Sequence, residues 1–147
     1  MLTRRFLITT TALMAAAPAM APGRASAQAA APSVTASSPD GVLSVQVGVN
    51  GEGRPEYSVT RLGRPVIAPS RLGFILTDGP KLERNFVVTA DAPTQHDDTW
   101  EQPWGEQRFI RNRYTQLRVH LTERNGLQRR LDVVFRLYDD GIGFRYE

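Results

Sequence analysis

Apolar residues at every second position, in short runs cut by Gly, Pro, Asn and Asp, restrict this chain to a β fold. Leu43, Val45, Val47 and Val49 alternate with Ser44, Gln46 and Gly48. Leu117, Val119 and Leu121 alternate with Arg118 and His120, and Leu131, Val133, Phe135 and Leu137 with Asp132 and Arg136. Successive side chains of a strand point to opposite faces, so each run buries one face and wets the other. Turn clusters separate the runs at Ser38-Pro39-Asp40-Gly41, Asn50-Gly51-Glu52-Gly53, Leu62-Gly63-Arg64-Pro65, Asp78-Gly79-Pro80 and Asp139-Asp140-Gly141. Shorter strands are expected over 56–61, at Val66-Ile67, over 72–77 after a break at Pro69, over 86–90 and over 142–146. Val87 and Val88 are adjacent, so both faces of that strand are expected to be covered. No amphipathic helical period appears. The expected class is all-β, an antiparallel sandwich.

The register of one hairpin follows from its faces. A tight two-residue turn at Asn125-Gly126 sets Leu121 opposite Arg130 and throws the two apolar sets onto opposite sides of the sheet. Keeping the faces together instead pairs Leu121 with Leu131, Val119 with Val133, and Leu117 with Phe135. Glu123 then stands across from Arg129, the loop spans Arg124 to Gln128, and Gly126 is free to take positive φ. A three-residue loop also aligns the faces but sets Leu121 beside Arg129. The tight Asn-Gly turn is therefore expected not to form.

Residues 1–27 read as a secretory signal peptide. Arg4 and Arg5 precede an apolar run from Phe6 to Ala21, and Ala25-Ser26-Ala27 supplies a cleavage site. Thr3-Arg4-Arg5-Phe6-Leu7 resembles a twin-arginine export signal without its spacer residue; an ordinary Sec signal is the alternative. Either address implies export, to a bacterial periplasm. Arg4, Arg5 and Arg24 are the leader's only charged residues, so the net charge of +3 falls to zero once they go. A nucleic-acid partner loses its support, because such binding needs a concentrated basic face. No membrane span is expected in the mature chain. With no cysteine, stability has to come from a packed core, for which about 120 residues suffice. The stretch 28–38 is Ala/Ser/Pro-rich and reads as a flexible linker, which leaves 39–147 for the sandwich.

The stretch from His96 to Tyr114 is the candidate recognition segment. It holds both tryptophans, Trp100 and Trp104, with Pro103 between them, and it reads as an ordered loop leading into a strand near Phe109. Asp97, Asp98, Glu101 and Glu106 invite a search for the carboxyl pair of a glycosidase. Nothing fixes a separation between any two of them, and a solvated acidic loop pairing with Arg108, Arg111 and Arg113 accounts for them. No catalytic residue is assigned. Trp100 and Trp104 fit sugar-stacking platforms, against the plainer role of pinning the loop. Glu106 fits a sugar-hydroxyl acceptor, against an ion pair with an arginine such as Arg111. His96 and His120 lack metal-ligand spacing and read as ordinary surface or edge histidines. Asp139-Asp140-Gly141 lacks the remaining oxygens of a calcium loop and reads as a turn.

Taken in order, several motifs resemble the amino-terminal domain of glycoside hydrolase family 97. They are Ser38-Pro39-Asp40-Gly41; Pro69-Ser70-Arg71-Leu72-Gly73; Trp100 with Trp104-Gly105-Glu106; Ile110-Arg111-Asn112 with Tyr114; Asp139-Asp140-Gly141-Ile142; and Phe144-Arg145-Tyr146. The resemblance implies exported, calcium-dependent, exo-acting hydrolases of α-linked glycans, α-glucosidases and α-galactosidases. It implies a large, galactose-mutarotase-like super-sandwich ahead of a catalytic (β/α)₈ barrel. The catalytic carboxylates and the calcium ligands are implied to lie outside this chain, so no cofactor is expected within it. Glu147 follows Tyr146 with no turn or polar tail, and the sequence reads as roughly the first half of that domain. Two other functions compete with it: a free-standing periplasmic carbohydrate-binding sandwich, and a structural domain with no ligand.

Overall fold

The structure is a computed structural model that describes residues 32–124 and 126–147. The expected signal peptide lies outside the described residues. These form nine strands: β1 (Ser33–Ser37), β2 (Leu43–Val49), β3 (Pro55–Arg61), β4 (Arg64–Arg71), β5 (Phe86–Ala90), β6 (Thr94–Glu101), β7 (Phe109–Glu123), β8 (Arg130–Leu137) and β9 (Ile142–Tyr146). Two antiparallel sheets result. One has the order β1-β2-β3-β4; the other runs β5-β7-β8-β9, with β6 also paired to β7.

The alternating runs face one another across the layers. Val45 and Val47 of β2 and Val59 of β3 meet Leu117, Val119 and Leu121 of β7 and Val133, Phe135 and Leu137 of β8 in one buried cluster. Each fully buried side chain of this size stabilises the fold by about 1.5–3 kcal/mol relative to exposure. Tyr57 on β3 reaches across to the second sheet, its ring 5.9 Å from Phe135 and 5.4 Å from Phe144.

The β7–β8 register is the expected one. Leu121 pairs with Leu131, Val119 with Val133, and Leu117 with Phe135. Glu123 accepts from the Arg129 guanidinium at 2.7 and 2.8 Å, and its own N–H donates to the Arg129 carbonyl. Gly126 has φ +73°, and Gln128 also lies in the left-handed region at +50°.

Five expectations need correction. The linker read over 28–38 is in part strand β1, whose Ala36 is buried while its neighbours are wetter. Val66-Ile67 is the middle of an eight-residue strand that tolerates Pro65 and Pro69 because β4 is an edge. Residues 72–77 form no strand; one bridge, Phe74 to Leu82, closes that loop. Val87 is half-buried, so only one face of β5 is fully covered.

The fifth correction sets the shape of the site. The first half of the His96–Tyr114 stretch is strand, not loop: β6 pairs with β7 from Thr94↔Gln116 to Glu101↔Phe109. β5 pairs with the same edge of β7, ending at Ala90↔Val119. Asp91, Ala92 and Pro93 therefore stand opposite only Leu117 and Arg118, a bulge of one extra residue. The extra residue reverses the faces. Even-numbered residues point inward on β5 and outward on β6.

Candidate functional site

Beyond Tyr114, toward its start, β7 has only β6 as a partner, because β8 begins pairing at Thr115. The result is a two-stranded arm that projects past the sandwich, with every residue of β6 exposed. Cross-strand polar pairs hold it. Arg111 grips Asp97 with both arms of its guanidinium, at 2.8 and 2.7 Å. Arg108 donates to Glu101 at 2.7 Å, and Asn112 to Asp98 at 3.2 Å. At the inner end the His96 ring stacks on Tyr114, whose ring also meets Tyr138 and the Arg136 guanidinium.

The tip is ordered by a side chain. Gln102 donates its backbone N–H to the Arg108 carbonyl and its amide to the Gln107 carbonyl, 2.8 Å away, spanning the loop from within. Gly105, at φ +131°, leaves room for that amide: a Cβ there would lie 2.1 Å from Gln102 Nε2. Around this frame Trp100 is 48% exposed, Phe109 60% and Trp104 83%. Neither tryptophan belongs to the buried core cluster of the described residues. Glu106 is exposed at the same tip, and the flanking arginines take other carboxylates. The structure thus brings Trp100, Trp104 and Glu106 to one end of one hairpin.

Three of the arm's four acids are engaged along the ribbon: Asp97 with Arg111, Glu101 with Arg108 and Asp98 with Asn112. The Arg111 hydrogen bonds hold Asp97 below the usual carboxylate range, which keeps it ionised at neutral pH. Two of the three arginines expected to serve these acids do so. The third, Arg113, turns to the arm's root instead. It donates to both oxygens of Asp40, at 2.6 and 2.9 Å, and lies 3.9 Å from Asp139. Asp139 in turn accepts the Asp40 N–H at 3.0 Å. The turn before β2 and the turn before β9 thereby meet on one guanidinium, whose hydrogen bonds keep Asp40 below its ordinary value. Sequence reasoning identified both turns but not this latch, since nothing in spacing brings residues so far apart together.

A second long-range contact joins two more motifs. The Gly73 N–H donates to the Tyr146 hydroxyl at 3.2 Å, and Phe74 packs on the Tyr146 ring at 4.4 Å. Among the described residues no group of three or more His, Cys, Asp or Glu is placed to hold a metal ion. The Asp139 carboxylate is occupied by Asp40 and Arg113, so this turn does not fit a calcium site. No helix among the described residues is long and apolar enough to cross a membrane.

A two-layer antiparallel sandwich that projects an aromatic hairpin is the class the fold defines. Residues 36–147 match the profile of the glycosyl-hydrolase 97 N-terminal family, and the chain belongs to that family. A retaining alpha-galactosidase of Bacteroides thetaiotaomicron is 27% identical over 112 residues, 76% of this chain and 16% of that protein. A probable retaining alpha-galactosidase of Streptomyces bingchenggensis is 34% identical over 88 residues, 60% of this chain and 13% of that one. Among solved structures, a glycoside hydrolase family 97 enzyme from Pseudoalteromonas sp. strain K8, in complex with acarbose, superposes with a TM-score of 0.73 at 28% identity. It covers 78% of this chain and 17% of its own. The chain thus spans about one-sixth of the length of the relatives it matches.

Proposed function

We propose that this chain is the non-catalytic opening part of the amino-terminal sandwich of an exported, exo-acting α-glycoside hydrolase, and that it supports and shapes the active site of a barrel domain. The observation that carries this is the family match over 36–147 within relatives several times longer. The arm gives the support a physical form. An isolated two-stranded ribbon is marginal in water, and this one carries two tryptophans and a phenylalanine at its free end. Arg108 and Arg111 are already paired with Glu101 and Asp97 along the ribbon, so covering the tip removes apolar surface from water without stripping these four charges of partners.

In this reading Trp100 and Trp104 present ring faces, and Glu106 an acceptor, toward an α-linked glycan held by the barrel. The solved relatives with acarbose and panose bound support the ligand class. Calcium, implied for the full-length enzymes, would be held by residues outside this chain. The exposed tryptophans also favour the second reading, a free-standing carbohydrate-binding sandwich. Sequencing the reading frame downstream of the Glu147 codon separates the two. It should continue into a (β/α)₈ barrel; a stop codon directly after Glu147 would overturn the first reading.

A further inference from the structure

His120 stands on the outer face of β7 with a carboxylate against each ring nitrogen. Nδ1 is 2.9 Å from Asp132 Oδ1 on β8, and Nε2 is 3.2 Å from Asp91 Oδ1 in the bulge between β5 and β6. A neutral imidazole has one N–H, so it can donate to one carboxylate and must turn a lone pair toward the other. Only the imidazolium donates from both nitrogens. We propose that His120 is a charged clasp: as an imidazolium it ties the bulge at the arm's root to β8, and so makes the anchoring of the arm dependent on pH.

The surroundings fit that role. Arg118 of β7 donates to Asp132 at 3.2 Å and to Glu147 at 2.6 Å, and Arg145 of β9 donates to Glu147 at 2.7 Å. Arg130 of β8 lines the same hollow, with Thr89 and Thr122 beside it. The arginines are spread over Asp132 and Glu147, which leaves the Asp91 contact to His120. Hydrogen bonds to Asp132 and then Asp91 raise the imidazole above its ordinary 6.5, against a smaller opposing effect of burial. Burial pushes Asp132 up, but its bonds to His120 and Arg118 outweigh that and leave it lowered. The bulge has a single backbone bond to β7 here, Asp91 N–H to the Arg118 carbonyl at 3.1 Å. A histidine whose value is raised by folding contributes its full stabilisation below the unfolded value. The contribution is lost as pH climbs through the folded value. The clasp should therefore hold below pH 6.5 and open above the raised value, loosening Asp91 and the start of β6.

The test is ¹⁵N NMR of the full chain, following the His120 ring nitrogens and the Asp91 amide against pH. The expected result is protonation of both nitrogens with a midpoint above the free-imidazole value of about 6.5. Asp91→Asn should lower that midpoint by about half a pH unit or more. Exchange of the Asp91 amide should quicken across the same midpoint, and His120→Gln should remove that step. Asp91 is 62% exposed, so its variant tests the clasp without disturbing the core. A midpoint at or below the free-imidazole value, or one unmoved by Asp91→Asn, would overturn the proposal.

Discussion

Phe135→Ala should remove a large share of the sandwich's stability. The ring is fully buried and lies 5.9 Å from Tyr57 and 5.3 Å from Phe144. On β8 it is the residue paired both with Leu117 and with Phe144, so it sits where the two layers and three strands meet. Truncating a buried phenylalanine to alanine costs about 3–5 kcal/mol, against a total stability of roughly 5–15 kcal/mol for a domain. Urea unfolding followed by far-UV circular dichroism should show a much lower midpoint or no cooperative transition. Trp104→Ala is the control: the side chain is 83% exposed and its loss should shift stability by less than about 0.5 kcal/mol. Equal losses in the two variants would mean that the core lies elsewhere.

Gly73→Val carries the second large effect. Gly73 has φ +125°, a region that side chains avoid, and a Cβ built on it would lie 2.4 Å from the Leu82 carbonyl oxygen. That oxygen is already held by the Phe74 N–H in the bridge closing the loop. The backbone conformation alone costs about 1–3 kcal/mol for a residue with a side chain, and forcing Phe74 and Leu82 apart adds a cost of similar size. The Gly73 N–H bond to Tyr146 would go with it, freeing the end of β9. Hydrogen exchange should show lost protection at Leu82 and Phe74 ahead of the β7–β8 pair. An unchanged melt would show that the loop accommodates a side chain.

The two central strands were legible because one side is buried and the other wet, so period and face agree along their whole length. Their register was legible for the same reason. Matching Leu121 with Leu131 outweighs the turn signal of Asn125-Gly126, because the tight turn would bury Arg130. β6 was not legible. Both of its faces are exposed, so Thr94 to Glu101 shows no apolar alternation, and the Asp91–Pro93 bulge reverses the faces relative to β5. β4 was hidden by two prolines that only an edge strand admits. The false strand over 72–77 arose from alternating Leu72, Phe74 and Leu76, of which only Leu72 is buried. Of the site, the residues at the tip could be named from composition. The frame that displays them could not, since Gln102 reads as an ordinary loop glutamine and the Asp40–Arg113–Asp139 latch joins segments distant in the chain. His120 looked unremarkable in sequence because its two carboxylates come from a bulge and a neighbouring strand.

The central claim is that the chain supports catalysis without performing it, and aryl-glycoside turnover tests this most directly. Purified residues 28–147 incubated with aryl α-glucoside and aryl α-galactoside should release no more phenol than buffer, since the chain spans only about one-sixth of the relatives it matches. Two of the ribbon's acids, Asp97 and Glu101, are bound to arginines. Turnover by this chain that disappears in Glu106→Gln would contradict the account and make the arm's tip an active site.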